Sequence, residues 1–363
     1  MATVRPLRYS EVRGEAALAR LQVREFLPSD VYAAAELLRA AHIRAQGSAP
    51  AGSLLGVRFF DARACRELIE TCLDSPRTRG AVVEDGSHMC GYLLGEKQLF
   101  GPQDFASIYA EPRSIGVPLQ GHAVAADANA ALVYETLYAF LARDWVADRF
   151  FIHNVSVSAL DGASAEAWSR LGFGHKSVCA IRPMRPLVPR PRPVWDLVIE
   201  EIRGRDDDIL ETFHRRLMTF QVGAPMFWPY DGEADAKVRD IRAEAMACGE
   251  GVAFVARRGG EALGSMLFVP AVFLSPLLVC ERMAYLWEGY VEGDARGVGV
   301  GSVLLDHAID RLQRDGVEWC SLHFVSGNPR GGNFWRSKGF IPVELTMKRH
   351  VDERVAWTRE FAG

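Results

Sequence analysis

The chain has 363 residues, 49% apolar and 24% charged, with a formal net charge of −4. That length exceeds one ordinary domain and fits two, and the composition is that of a soluble globular protein. The charge offers no footprint for nucleic acid or an anionic membrane, and no apolar run approaches the roughly 20 residues of a membrane-spanning helix. Met1 to Arg8 lack a charged start followed by an apolar core, so no signal peptide is expected. Seven cysteines without a Cys-x-x-Cys pair read as reduced residues of a cytoplasmic protein. His42, His88 and His153 show no ligand spacing, so no metal site is expected.

In chain order, residues 21–26 read as a strand, and 31–45 and 62–73 as helices. Strands at 81–83 and 90–95 flank Glu84-Asp85-Gly86, a turn that suits a hairpin. The glycine-free segment 125–132 leads into a helix with Val133, Leu137, Phe140, Leu141 and Trp145 on one face. Trp168-Ser-Arg-Leu-Gly-Phe173 and a short strand-like run close this half. Residues 185–193 then hold four prolines in nine positions, the composition of a stiff, solvated connector. The second half repeats the order: a strand at 195–202, helices at 208–220 and 234–247, and strands at 252–257 and 263–269 around Arg258-Gly259-Gly260.

A strand at 285–291 then runs into a turn holding Arg296, Gly297, Gly299 and Gly301. An amphipathic helix follows, with Leu304, Leu305, Ala308, Ile309 and Leu312 on one face. Strand, side-chain-free turn and helix start together leave bare N–H groups and a positive dipole end, which suits a phosphate or pyrophosphate. Ser302 and Val303 stand where a P-loop needs Lys-Ser/Thr, and the glycine spacing is not Gly-x-Gly-x-x-Gly. Beyond a strand at 317–325 comes Asn328-Pro-Arg-Gly-Gly-Asn-Phe-Trp335, followed by Gly339-Phe340.

With these two motifs in this order, the chain resembles the GNAT superfamily of acyl-CoA-dependent N-acetyltransferases. That family carries Arg/Gln-x-x-Gly-x-Gly/Ala between a strand and a helix, matched by Arg296, Gly299 and Gly301. It also carries an Asn, an aromatic seven residues on, and Gly-Phe, matched by Asn328, Trp335, Gly339 and Phe340. The resemblance implies that Gly297, Val298, Gly299, Val300, Gly301 and Ser302 hold the pyrophosphate of coenzyme A. It also implies that the backbone of Gly289, Tyr290 and Val291 binds the pantetheine arm, and that Asn328 contacts the cofactor. Trp335 is expected to pack against it.

Trp168 to Phe173 parallels Trp335 to Phe340 at an offset of 167 residues. The expected fold is therefore α/β (α+β): two tandem GNAT-like domains, each a mixed, mostly antiparallel central sheet flanked by helices. Residues 1–184 would form a degenerate domain, 185–193 a proline-rich linker and 194–363 the catalytic domain. The same offset sets Asn129, Ala130, Leu132 and Tyr134 against Arg296, Gly297, Gly299 and Gly301. Side chains there would crowd a pyrophosphate, so the first half is expected to lack a cofactor site.

Acetyl transfer to an amine needs a base, an oxyanion donor and a way to protonate the leaving thiolate. Glu288 lies on the strand entering the glycine turn, where many family members place a carboxylate base; the alternative is a solvated edge residue. His323 is a second candidate base, or a satisfied core histidine. The usual family acid is a tyrosine at the position of Trp335, whose indole supplies no proton. Tyr290, Ser326 or a water would have to serve instead. Asn328 also reads as a helix N-cap. Residues 226–233 sit where the family carries an acceptor-binding loop, and Trp228, Tyr230 and Asp231 there, with Glu288, suit a cationic amine.

The expected activity is transfer of an acetyl group from acetyl-CoA to a primary amine of a small metabolite or antibiotic-like acceptor, by a monomer or homodimer. Two other readings stay open: a non-catalytic acyl-CoA-binding regulatory protein, and a peptide or protein N-acetyltransferase.

Overall fold

A computed structural model describes residues 21–49, 55–192, 194, 196–204, 208–230, 232–270 and 282–357. The N-terminal start and Asp231 lie outside these residues. The first half runs β1 (Leu21–Glu25), α1 (Val31–Gln46), α2 (Ala62–Leu73), β2 (Thr78–Asp85), β3 (His88–Leu99), β4 (Arg113–Val117), β5 (His122–Val124), α3 (Ala130–Ala147), β6 (Ile152–Ser158), α4 (Gly162–Arg170) and β7 (Gly174–Pro183). The second runs β8 (Leu197–Arg203), α5 (Asp208–Val222), α6 (Gly232–Ala247), β9 (Val252–Arg258), β10 (Glu261–Pro270), β11 (Met283–Val291), α7 (Val300–Arg314), β12 (Trp319–Val325), α8 (Pro329–Ser337) and β13 (Ile341–His350).

Local sequence explains most of these elements. Gly259 and Gly260 both adopt positive φ (58° and 89°), as a tight β9–β10 hairpin requires. The caps of α4 and α8 are Asp161 and Asn328, whose side chains accept from Ser164 N (3.2 Å) and Gly331 N (2.9 Å). Along β6 burial alternates strictly, with His153, Val155 and Val157 inward. In α7, Leu304, Leu305, Ala308, Ile309 and Leu312 all face the core.

The thirteen strands among the described residues join one sheet, in the order β1-β2-β3-β4-β6-β13-β7-β12-β11-β10-β9-β8, with β5 paired to β3. The parallel pairs β4/β6 and β11/β12 occupy corresponding places, and the other pairs are antiparallel. Helices α3, α4, α7 and α8 cover one face through a core common to both halves; α1 and α2, then α5 and α6, cover the other.

The sheet's centre departs from two self-contained domains. Strand β13, the last of the second half, lies between β6 and β7, and β7 pairs with β12. Each half thus gives its final strand to the other. Arg182 on β7, only 5% exposed, donates to Lys338 O at the end of α8 and to Arg185 O (2.6 and 2.7 Å). The proline-rich connector is docked as well: Leu187 N donates to Asp306 Oδ1 (3.2 Å), and Arg190 pairs with Asp306 and Asp310 on α7. Expressed alone, residues 194–363 are expected to be poorly soluble, because β12 loses β7. A soluble, monomeric fragment with native-like circular dichroism would contradict the shared sheet.

At the start of α3, the counterpart of the glycine turn, side chains fill the space among the described residues. Helices α3 and α7 begin at Ala130 and Val300, which moves the correspondence three residues from that of the later motif and sets Asn129 opposite Gly299. Asn129 caps α3 through Leu132 N (3.2 Å), occupying an amide at the helix start. Behind it Tyr134, 1% exposed, hydrogen-bonds His122 Nδ1 (2.7 Å) and packs on Trp168. The cavity left there is about 40 Å³.

Buried histidines give this core an acid sensitivity. Burial lowers the pKa of His42 and His122 and takes His153 to about 4, against partly offsetting bonds to backbone carbonyls. Unfolded imidazoles titrate near about 6.5, so between there and about 4 the unfolded chain binds more protons than the folded one. Stability therefore falls as pH drops through that window. Melting temperature should decline steadily from about pH 7 to about pH 4.5; a flat profile would show that these rings do not control it.

Candidate active site

The site opens where two strands part. β11 pairs with β12 in parallel only from Met283 to Leu286, against Trp319 to Leu322. Beyond Leu286 they diverge, and a cavity of about 590 Å³ fills the gap. A bulge sharpens the split: across β10, Phe268 faces Leu286 while Leu267 faces Glu288, leaving Trp287 as the extra residue. Before the bulge Ala284 and Leu286 face α7, and Tyr285 faces α5. Unbroken alternation would put Glu288 on the α7 side. The bulge turns it toward α5 instead.

The glycine turn closes one end of this cleft. Gly297 and Gly299 have φ of 79° and 102°, and Gly299 is the N-cap of α7 without a side-chain bond. A Cβ on Gly301 would lie 3.4 Å from Phe334 Cζ and from Val291 Cγ2. Ser302 N and Val303 N donate back to Gly299 O (both 3.0 Å), which leaves the amides of Val300 and Gly301 at the helix start for a ligand. Such a cradle fits a pyrophosphate, with the helix dipole adding partial positive charge. Arg296 shapes the turn from behind: its Nε donates to Val291 O (2.8 Å), and its guanidinium stacks on Phe220 and Tyr290 at 4.6 and 5.2 Å.

The structure gathers nearly all the expected cofactor residues around this cavity. Gly289, Tyr290, Val291, Arg296, Gly297 and Gly299 line it, as do Val300, Gly301, Ser302, Asn328 and Trp335. Val298 does not; it is 59% exposed. Trp335 packs edge-on to Phe340, and a Cβ on Gly289 would sit 3.3 Å from its ring, so the glycine lets strand and indole meet.

A second cavity of about 570 Å³ adjoins the first, and Leu217, Gln221, Trp287, His323, Phe324 and Val325 line both. Trp228, Tyr230 and Glu288 face this chamber, and the first half supplies the opposite wall with Phe100, Tyr109 and Lys176. Lys176 lies 5.7 Å over the Trp228 ring and is held by Glu111 (3.1 Å) and Tyr109 O (2.9 Å). Burial lowers its pKa, and Glu111 opposes that shift. Ser326 lines neither cavity.

Glu288 does not stand alone. His214 on α5, 1% exposed, places Nδ1 2.7 Å from Glu288 Oε1, and its Nε2 hydrogen-bonds Tyr230 OH. Tyr230 OH in turn lies 3.3 Å from Asp235 Oδ1. A carboxylate only accepts, so Nδ1 carries a hydrogen. Burial and the nearby Asp235 raise the Tyr230 pKa, keeping the phenol protonated. Sequence reading missed His214 and Asp235. The signal for His214 was present: with Leu210, Phe213 and Leu217 it completes the buried stripe of α5, a lone polar residue on an inward face. His323 is open to both cavities and touches Tyr285 OH through Nδ1 (3.2 Å). The protein surrounding the cleft pushes its pKa down to about 4, so the ring is neutral and a weak base.

Residues 218–340 match the family model of the Acetyltransferase (GNAT) family. This stretch of the second half is a GNAT acetyltransferase domain. A search of curated proteins finds no match. Among solved structures, a GCN5-related N-acetyltransferase from Sphaerobacter thermophilus superposes with a TM-score of 0.54 at 14% identity, covering 91% of this chain and 96% of its own. A tandem GNAT protein from the clavulanic acid biosynthesis pathway gives 0.47 at 14% identity, covering 91% and 98%. The first of these likenesses shows the fold. Among the described residues no helix is long and apolar enough to cross a membrane.

Proposed function

We propose that this chain moves the acetyl group of acetyl-CoA onto the primary amine of a small acceptor, at one active centre in the second half. The observation that carries the reading is the junction of the two cavities, with Glu288 facing the acceptor side. Bound acetyl-CoA supplies the acetyl group as an activated thioester. The α7 amides of Val300 and Gly301, with Ser302 beside them, and the Gly297–Gly299 turn would hold its pyrophosphate, and the backbone of Gly289 to Val291 its pantetheine arm. The division into 1–184, 185–193 and 194–363 belongs to the same reading, with the first half forming the acceptor wall.

Glu288 takes the proton from the acceptor ammonium, using the oxygen that His214 leaves open. His214 fixes the carboxylate through its Nδ1–H, and Tyr230 steadies the ring at Nε2. The proton leaves Glu288 for solvent from the open oxygen. Trp228 and Tyr230 present aromatic faces to the cationic amine before it loses that proton. With Trp335 unable to donate a proton, the hydroxyl of Tyr290, a residue lining the donor cleft, is the candidate acid for the leaving thiolate. The chamber is walled by both halves and holds about 570 Å³, which favours a small acceptor over a protein side chain on a large surface.

The test is a screen of primary amines with acetyl-CoA, read as thiol release and confirmed by mass of the acetylated product. At least one small amine should turn over well above the hydrolysis background. Tight binding of coenzyme A with no amine turned over across the screen would favour a non-catalytic binding protein.

A further inference from the structure

The duplication extends to the chamber. Strand β6 corresponds to β12, and β4 pairs with β6 in parallel from Ile115 to Val117, as β11 pairs with β12. A cavity of about 410 Å³ lies against this pair, where the second half has its acceptor chamber. The first half has thus kept a chamber while its donor cleft has shrunk to about 40 Å³. The exchanged strands run between the two chambers: Lys176 of β7 and Thr346 of β13 line both, as do Gln98, Tyr109 and Ala110.

The lining is of a different kind from the aromatic acceptor side. It presents the hydroxyls of Ser75, Thr78 and Ser156 and the amides of Gln98, Gln120 and Asn154. Asn154 Oδ1 is buried with no hydrogen-bond partner among the described residues. Its two charged members are already matched. Glu96 accepts from Ser75 Oγ (2.6 Å) and lies 3.8 Å from Arg77, and Lys176 is paired with Glu111. A cavity rich in donors and acceptors, with its charges internally compensated, suits a neutral group that makes several hydrogen bonds.

We propose that this cavity is a subsite for the far end of the acceptor and takes a neutral polyhydroxylated or amide-rich group. The acceptor is then an elongated amine, running from Glu288 past Lys176 into the first half. The inference rests on the acetyl-transfer reading above. The test compares kcat/KM for N-(4-aminobutyl)gluconamide and for n-butylamine, in the wild type and in Thr71→Trp. Thr71 is an exposed residue of α2 at the cavity wall, where an indole would cover the opening. Saturation-transfer NMR with gluconamide alone reports binding without chemistry.

The wild type should prefer the gluconamide amine by at least about tenfold, the effect of one or two net hydrogen bonds. In Thr71→Trp that ratio should fall toward one and the gluconamide signal should vanish. If gluconamide binds and Thr71→Trp abolishes it, yet neither amine turns over, the subsite stands and the transfer reading falls. If both amines turn over with a wild-type ratio near one and gluconamide gives no signal at millimolar concentration, the subsite is overturned and the transfer reading stands.

Discussion

Replacing Glu288 by Gln should lower kcat/KM for the amine by about 10²–10⁴, the usual contribution of a positioned base. The substitution keeps the shape of the side chain and its contact with His214 Nδ1 (2.7 Å), so the chamber should stay intact. The acidic limb of the pH–rate profile should vanish with the carboxylate, because the remaining neutral His323, with its pKa near about 4, is too weak a base to replace it. Binding of coenzyme A should be unaffected, since Glu288 lines only the acceptor side. A rise in the amine KM alone would reassign Glu288 to binding the ammonium, and activity unchanged at every pH would make it a bystander.

The second large effect is expected at the turn. In Gly299→Val with Gly301→Val, affinity for coenzyme A should fall at least about 100-fold, the loss of several charge-assisted amide contacts. Gly299 sits at φ 102°, which a β-branched residue adopts only under strain, and position 301 has van der Waals contact waiting on two sides. Far-UV circular dichroism should be preserved, because both positions lie at the helix start rather than in the core. Retained affinity in the folded double variant would mean that the pyrophosphate does not bind at this turn.

What the sequence disclosed and what it hid divide along a physical line. The glycine turn, the Asn328 cap and the tandem order are local: each follows from backbone conformations that a few neighbouring residues dictate. The same locality made the first half's missing glycines legible, though Asn129, rather than Leu132, proved to oppose Gly299. Long-range features stayed hidden. No periodicity shows that β7 and β13 change places, because both are ten-residue strands of mixed composition that fit either neighbour. The bulge at Trp287 is set by pairing across β10, and it alone decides which face Glu288 presents. His214, Tyr109 and Lys176 reach the chamber from three separate elements, which composition and spacing do not connect. Asp231 lies outside the described residues, and the hydrogen-bond chain from Glu288 ends at Asp235 instead.

The central claim is one active centre per chain, with the donor held only in the second half. Isothermal titration of the full-length protein with coenzyme A tests it most directly. The account predicts a single class of site with a stoichiometry near one, lost in Gly299→Val with Gly301→Val. Two equivalent sites, or a stoichiometry near one that survives the double variant, would contradict it.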